Sequence, residues 1–233
     1  MRIIAIGAHP DDIELGCAGT LAKCHKRGDT IYIGILSRGD AASENMPGEN
    51  LAQTRLNEAK KSAKLIGAEI MNLGFHDFSI ETTPQSMKIL TEMIRQAAPD
   101  LIITHYDQDY GSDHNNTCKL VLDASLAATV PNISTQTPSL PKIPALYLME
   151  PLGGFGFQPE VYVDITETFP TKLQMLNCHE SQIAWTTRQG GTDLREYIEV
   201  VARFRGYQAM VKMAEGFIAH KSWGHIPPGN LLP

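Results

Sequence analysis

Short apolar runs alternate along the chain with longer segments whose apolar residues recur every three or four positions. The runs predict buried strands at residues 3–7, 30–36, 69–73, 101–104, 145–149 and 161–165. The periodic segments predict helices at residues 16–26, 53–66, 85–98, 113–128, 166–179 and 194–215. Such alternation is typical of a doubly wound sheet. We therefore expect one Rossmann-like α/β domain over residues 1–233, with a mostly parallel sheet flanked by helices.

The segments between these elements are rich in Gly, Pro and Ser. Residues 37–50 suit a loop that leaves the carboxyl edge of the sheet. Residues 131–144 predict an excursion, either a plain surface loop or a lid over a pocket. The glycines at residues 153–156 lack the preceding strand and following helix of a dinucleotide-binding turn, so we expect no nucleotide there.

Composition narrows the class of protein. The 233 residues are 42% hydrophobic and 20% charged, which is ordinary for a globular protein. A net charge of -6 and the lack of a basic cluster argue against a nucleic-acid partner. Neither a signal peptide nor a membrane span is predicted, so a cytoplasmic protein with no membrane partner is expected. The four cysteines form no C-x-x-C pair and are expected to be reduced thiols.

One imidazole and two carboxylates come directly after the first predicted strand. His9, Asp11 and Asp12 lie in the segment Ala8-His9-Pro10-Asp11-Asp12. Ligands of open α/β sheets bind beyond the carboxyl ends of the strands, so this is a favoured position for a site. An aspartate that caps the next helix is the alternative explanation, but it accounts for one carboxylate only.

A second polar cluster, residues 105–115, follows the strand predicted at residues 101–104 and therefore lies at the same sheet edge. Imidazoles with one carboxylate are common ligands of a catalytic zinc, and three protein ligands leave a fourth position open. The two clusters together predict a metal site, and two unrelated capped loops remain the alternative.

The chain resembles the LmbE/PIG-L family of zinc-dependent sugar N-deacetylases. The matching segments run in order from Ala8-His9-Pro10-Asp11-Asp12 through Arg55 and Glu58, Asp113-His114, Val163-Asp164-Ile165-Thr166, His179-x-Ser181-Gln182 and Arg205-Gly206 to Ala214-Glu215-Gly216-Phe217. The resemblance implies one Zn²⁺ per chain held by His9, Asp12 and His114, with Asp11 as general base. It also implies the reaction, in which water attacks the acetamide of an N-acetylated sugar such as an N-acetylglucosamine conjugate.

One departure from the family concerns the general acid. Many members have His-Pro-Asp-His where this chain has Gly111-Ser112-Asp113-His114. Because glycine cannot donate a proton, the candidate acids are His105, Tyr110 and His179. Asp113 either orients a metal-binding imidazole or caps its helix.

The resemblance further implies that Arg55 and Asp77 face sugar hydroxyls, although an ion pair between Arg55 and Glu58 is an alternative for Arg55. Glu215 is expected to make a structural contact. The family commonly assembles, so a homo-oligomer is expected, with residues 131–144 and the C-terminal tail from residue 219 as candidate interface segments.

Two other functions stay open. The same fold family includes a zinc-dependent hydratase of an unsaturated dicarboxylic acid, and the missing histidine at position 111 keeps that lyase possible. Such an enzyme would need extra cationic groups for the carboxylates of its substrate. A non-catalytic binding protein is the second alternative, and the presence of both Asp11 and Asp12 argues against it.

Overall fold

A seven-stranded sheet forms the centre of the protein, in a computed structural model that describes residues 1–223 and 232–233. Within these residues the strands are β1 Arg2–Gly7, β2 Thr30–Ser37, β3 Glu69–Phe75, β4 Leu101–Thr104, β5 Ala145–Met149, β6 Val161–Asp164 and β7 Ala214–Ala219. Their order across the sheet is β3-β2-β1-β4-β5-β7-β6. Strands β1 to β5 are parallel, whereas β7 runs antiparallel to both of its neighbours. The predicted fold class is confirmed.

Helices cover the sheet. They are α1 Asp12–Gly16, α2 Ala18–Lys26, α3 Gly48–Lys64, α4 Pro84–Ala97, α5 Ser112–Ala127, α6 Phe169–Asn177, α7 Glu180–Gly190 and α8 Leu194–Ala209. In the described part of the chain, no helix combines the length and the apolar character that crossing a membrane requires.

The central strand β1 is buried on both faces. Ile3 and Ala5 pack in one hydrophobic cluster, while Ile4 and Ile6 pack in the cluster on the opposite face. A parallel strand covered by helices on both sides needs apolar side chains at every position, which explains the unbroken apolar run at the start of the sequence.

The structure corrects two predictions in the C-terminal third. The segment 194–215 is not one helix, because α8 ends at Ala209 and residues Ala214–Ala219 form β7 between β5 and β6. The segment 166–179 is not one helix either. Helix α6 begins at Phe169 after Thr168, so Thr166 is not its cap, and α7 follows as a separate helix from Glu180.

Arg95 in α4 fixes the start of the proline-rich excursion. Its guanidinium donates hydrogen bonds to backbone carbonyls of Ala128 at 3.0 Å, Val130 at 2.8 Å and Ile133 at 2.8 Å. Residues 134–136 then line a groove together with β3 and α4. The excursion is therefore a surface loop held against α4, and the described residues around the candidate site include none of it.

Glu215, in the segment Ala214-Glu215-Gly216-Phe217, links three distant parts of the fold through its carboxylate. Its buried carboxylate accepts hydrogen bonds from the backbone N–H groups of Gly19 at 3.0 Å and Thr20 at 2.7 Å, at the beginning of α2. Lys172 of α6 donates to the same carboxylate at 2.6 Å and to the carbonyl oxygen of Leu15 at 2.9 Å. The expected structural contact is confirmed, and it joins β7, α6 and the break between α1 and α2.

Replacing Glu215 with Ala is expected to lower the free energy of unfolding by roughly 3–5 kcal/mol, because the ammonium of Lys172 stays buried without its partner. Urea unfolding followed by circular dichroism measures this. Glu199→Ala is the matched control, since Glu199 pairs with Arg203 on the exposed face of α8 and such pairs contribute about 0.3–0.5 kcal/mol. Equal losses in the two variants would contradict the role of Glu215.

Candidate metal centre and catalytic pocket

The two polar clusters meet because of the sheet order. Strand β1 lies between β2 and β4, so the chain leaves β1 toward one side of the sheet and later returns to β4 on the other side. The loops after β1 and β4 therefore flank a crevice at the carboxyl edge. His9 lies in the first of these loops, and His114 lies in the first turn of α5 after the second.

Three ligand atoms converge at this crevice. Nδ1 of His9 is 3.2 Å from Nε2 of His114. The carboxylate of Asp12 lies beside both, with Oδ2 at 3.6 Å from the His9 nitrogen and Oδ1 at 3.4 Å from the His114 nitrogen. All three ligand atoms fall within 4.8 Å of one another, so one metal ion can contact each of them. Two imidazoles and a carboxylate fit zinc.

Two further carboxylates orient the imidazoles. Oδ2 of Asp113 lies 3.2 Å from Nε2 of His9, and Oδ2 of Asp109 lies 2.9 Å from Nδ1 of His114. Each histidine therefore turns its other nitrogen toward the common centre. Asp113 is not the helix cap, because Gly111 occupies that position and the Asp113 carboxylate accepts from the N–H groups of Phe78 at 2.6 Å and Ile80 at 3.3 Å.

The electrostatics favour a positive charge at this centre. Burial disfavours the charged imidazoles, but contacts with Asp113 and Asp12 raise the pKa of His9 to about 9. At His114, burial again disfavours the charged imidazole, but contacts with Asp12 and Asp109 raise its pKa to about 10. Because carboxylates that stabilise imidazolium also stabilise a divalent cation in its place, the donor set fits a metal.

Asp109 was not assigned a role from the sequence, although it lies in the second polar cluster. It also approaches His105, whose Nδ1 is 3.5 Å away and whose ring stacks on that of His114 with centroids 4.1 Å apart. His105, Asp109 and His114 form a second group that could hold a metal ion, but their side chains are at most 4% exposed, against 22% for His9. His9 and Asp12 of the first group line a cavity of about 310 Å³, whereas His105, Asp109 and His114 line one of only about 20 Å³.

Asp11 points away from its own helix. Its φ of 121° is unusual for a residue other than glycine, and its side chain makes no capping bond. Oδ1 instead lies 3.0 Å from Nη2 of Arg55, which also donates to the carbonyl oxygen of Pro10 at 2.7 Å. Burial raises the pKa of Asp11 to about 6 despite the attraction of Arg55. The capping alternative therefore does not account for Asp11.

Arg55 pairs with Asp11, whereas Glu58 accepts from the N–H of Ser181 at 2.9 Å, so the predicted alternative of an Arg55–Glu58 pair is wrong. Asp77 accepts hydrogen bonds from the backbone N–H groups of Gly39 and Ala41, both at 3.0 Å. Gly39 has a φ of +70°, and a Cβ there would lie 2.7 Å from Nε of Arg55. Asp77 therefore holds the loop at residues 39–41, and this loop can lie against Arg55 because glycine at position 39 has no Cβ.

A cavity of about 310 Å³ opens beside Asp11 and two of the three candidate ligand residues, His9 and Asp12. Its lining residues are His9, Asp11, Asp12, Leu15, Ala41, Ala42, Arg55, Asp77, Phe78, Tyr110, Leu152, Gln182, Trp185, Thr186 and Leu194. Gln182, Trp185 and Thr186 come from helix α7, which the sequence pattern did not predict.

The three candidate acids occupy different places. Tyr110 is 71% exposed, lines the cavity, and meets the ring of His114 edge-on with centroids 4.9 Å apart. His105 is buried behind Asp12, with Nε2 at 3.1 Å from Oδ2. His179 is fully buried, and its Nε2 lies 3.2 Å from Oε1 of Glu14 without the directionality of a hydrogen bond. Neither histidine is among the residues that line this cavity.

The fold and this pocket define an α/β protein with a candidate metal centre at the switch point of its sheet. Residues 4–125 match the PIG-L family, described as GlcNAc-PI de-N-acetylase, and the chain belongs to that family.

Two relatives indicate the range of activities among similar proteins. Diacetylchitobiose deacetylase of Thermococcus kodakarensis is 27% identical over 92% of this chain and 81% of its own length. The 4-oxalmesaconate hydratase of Pseudomonas putida is 24% identical over 88% of this chain and 80% of its own length. Among solved structures, N,N'-diacetylchitobiose deacetylase of Pyrococcus horikoshii has a TM-score of 0.83, at 24% identity, covering 98% of this chain and 87% of that one.

Proposed function

We propose that the protein is a zinc-dependent amidohydrolase that removes the acetyl group from an N-acetylated sugar of the N-acetylglucosamine type. The observation that carries this proposal is the placement of Asp11. It is a buried carboxylate that pairs with Arg55 and lines the same cavity as His9 and Asp12, two of the three candidate metal ligands. Family membership and the deacetylase relatives support the same reaction class.

His9, Asp12 and His114 would hold one Zn²⁺ per chain, which when bound supplies a Lewis acid and lowers the pKa of water to about 7. Asp11 accepts a proton from the attacking water as general base. Arg55 fixes the orientation of the Asp11 carboxylate through Oδ1 and leaves Oδ2 for this transfer. Asp113 and Asp109 keep the two imidazoles in the required orientation.

Tyr110 is the best placed of the three candidate acids, because its side chain lines the cavity where the departing amine would lie. A phenol can donate a proton or a hydrogen bond there. Sugar contacts by Arg55 and Asp77 are proposals as well. Both line the cavity, although each also makes hydrogen bonds within the protein.

A hydratase acting on an unsaturated dicarboxylic acid is the second candidate, because one relative is such an enzyme. Two substrate carboxylates call for cationic partners. Among the described residues that line the cavity, Arg55 is the one with a permanent positive charge, and Asp11 already neutralises it. This charge balance favours an uncharged acetamide substrate.

The two candidates differ in their products. We expect the purified protein with zinc to release a primary amine and acetate from N-acetylglucosamine or diacetylchitobiose, measured by amine labelling. We expect no hydration of an enol dicarboxylate, measured by loss of its ultraviolet absorbance. Hydration without amine release would overturn the proposed reaction in favour of the lyase.

We also propose that the protein is cytoplasmic, that residues 1–233 act as one domain and that the chain forms a homo-oligomer. Of the two interface segments predicted from the sequence, residues 131–144 are held against α4, and residues 134–136 among them line a groove of the same protomer. Residues 224–231 of the C-terminal tail lie outside the described residues.

A further inference from the structure

The mouth of the candidate catalytic cavity carries an aromatic side chain in an unusual backbone position. Phe78 lines the cavity and is 83% exposed. Its φ of 59° lies in the left-handed region, where residues other than Gly, Asn and Asp are uncommon. Such strain persists where the surrounding structure enforces it, and it is concentrated at functional sites. An exposed phenyl ring gains little packing within the protein, so folding alone does not account for phenylalanine at this position.

Hydrogen bonds fix the backbone of Phe78 beside the metal centre. The carboxylate of Asp113, which orients His9, accepts from the N–H of Phe78 at 2.6 Å and from that of Ile80 at 3.3 Å. The preceding residue, Asp77, accepts from two N–H groups of the loop at residues 39–41. The backbone of Phe78 is therefore placed relative to His9, and its side chain can contact a substrate that extends outward from the metal centre.

Most of the lining away from the candidate metal ligands is apolar. Trp185 of α7 is half-buried and lines the same cavity as Phe78, although the two residues lie more than a hundred positions apart. The other apolar residues of the lining are Leu15, Ala41, Ala42, Leu152 and Leu194. Aromatic and aliphatic side chains bind the apolar surface of a ligand, and a few polar groups then fix its orientation.

The polar groups of the lining suit an uncharged ligand. Among the described lining residues, Arg55 alone has a permanent positive charge, and it pairs with Asp11 at 3.0 Å. The buried Nε2 of Gln182 has no hydrogen-bond partner in the described part of the chain, so a ligand oxygen can accept from it. An amide donor suits a hydroxyl oxygen, whereas carboxylates and phosphates are bound most strongly by Arg and Lys.

We propose that Phe78 and Trp185 form a subsite for the group linked to the N-acetylated sugar, and that this group is an uncharged ring with an apolar face. The proposal rests on the proposed deacetylase function and specifies its substrate class. With the acetamide beside the buried Asp11 and Asp12, the rest of the conjugate extends toward the exposed ring of Phe78. A second pyranose presents an apolar face through its C–H groups, and an aryl group presents one through its π-surface.

Four substrates test this specificity in the purified protein with zinc. They are N-acetylglucosamine, diacetylchitobiose, phenyl N-acetylglucosaminide and the anionic conjugate N-acetylglucosaminyl malate, compared by kcat/KM for amine release. We expect at least one uncharged conjugate to exceed N-acetylglucosamine about tenfold, the size of one good aromatic contact. The disaccharide and the phenyl glycoside distinguish a second sugar from an aryl group. A malate conjugate that reacts as fast as the uncharged conjugates would contradict the proposal.

Phe78→Gly removes the ring and relieves the positive φ. We expect it to lower kcat/KM for the preferred conjugate about tenfold relative to kcat/KM for N-acetylglucosamine. The thermal midpoint should stay equal or rise, because the relieved strain offsets the greater freedom of glycine in the unfolded chain. Trp185→Leu should reduce the same preference, whereas Phe78→Tyr keeps an aromatic ring and should retain it.

Phe204→Ala is the matched control, since it removes a phenyl ring that is 55% exposed on α8 and does not line the cavity. It should leave the preference unchanged. Elemental analysis of each variant checks that the metal content is the same, so that a change in preference does not arise from displacement of Asp113 and His9.

The outcomes separate this subsite from the proposed reaction. If no substrate releases an amine, the deacetylase function is overturned and the subsite with it. If amines are released but Phe78→Gly changes kcat/KM equally for all substrates, or for none, the subsite alone is overturned. A clearly lower thermal midpoint in Phe78→Gly would assign the ring to folding and would also overturn the subsite.

Discussion

Asp11→Asn is expected to lower the rate of amine release roughly a hundred- to ten-thousandfold, the usual contribution of a general base. The amide keeps an oxygen that can accept from Arg55, but it cannot take a proton from water. The fold should persist, because asparagine is nearly isosteric with aspartate and, like aspartate, is found at positive φ more often than most residues. Steady-state kinetics with an N-acetylglucosamine conjugate, together with elemental analysis, measures the effect. Metal content should not change.

Asp12→Asn is the matched control for that variant. It removes a charged ligand rather than the base, so metal binding should weaken together with activity. If Asp11→Asn kept near-normal turnover at neutral pH, another group must deprotonate the water. If Asp11→Asn lost the metal while Asp12→Asn retained it, the roles of the two aspartates would be reversed.

His114→Ala is expected to abolish both stoichiometric metal content and amine release. The substitution removes one ligand nitrogen and leaves Oδ2 of the buried Asp109 carboxylate without the imidazole nitrogen that lies 2.9 Å away. Inductively coupled plasma mass spectrometry of the dialysed protein measures the metal. Circular dichroism shows whether the helices persist, which separates loss of the ligand from loss of the fold. Full zinc content in His114→Ala would contradict the assignment.

The two overlapping groups around His114 make opposite predictions for the other histidines. If the metal is held by His9, Asp12 and His114, His9→Ala should lose it and His105→Ala should retain most of it. If His105, Asp109 and His114 hold the metal instead, His105→Ala should lose it and His9→Ala should retain most of it. Asp109→Asn leaves every ligand of the first group in place, so it should weaken metal affinity by only about 10- to 100-fold, as expected for a residue that orients a ligand.

The sequence by itself determined the parallel half of the sheet and the position of the site. Strands β1, β2, β4 and β5 are buried along most or all of their length, so burial demands apolar runs that are visible locally. Pro10 and the polar residues after β1 and β4 then mark the two loops, and alternating strands and helices bring those loops to one edge. The grouping of His9, Asp12 and His114, which could hold a metal ion, was therefore predictable from the local pattern and the family resemblance.

Only the tertiary structure decided the rest, because the relevant partners are far apart in the sequence. The segment around Glu215 continues a helical period, yet it forms β7, since that strand completes the sheet between β5 and β6 and its carboxylate caps α2 nearly two hundred residues away. The pairing of Arg55 with Asp11 rather than Glu58 likewise depends on how α3 lies beside the loop that follows β1. Local periodicity reports which side chains are buried, whereas the packing of distant elements determines which polar groups meet.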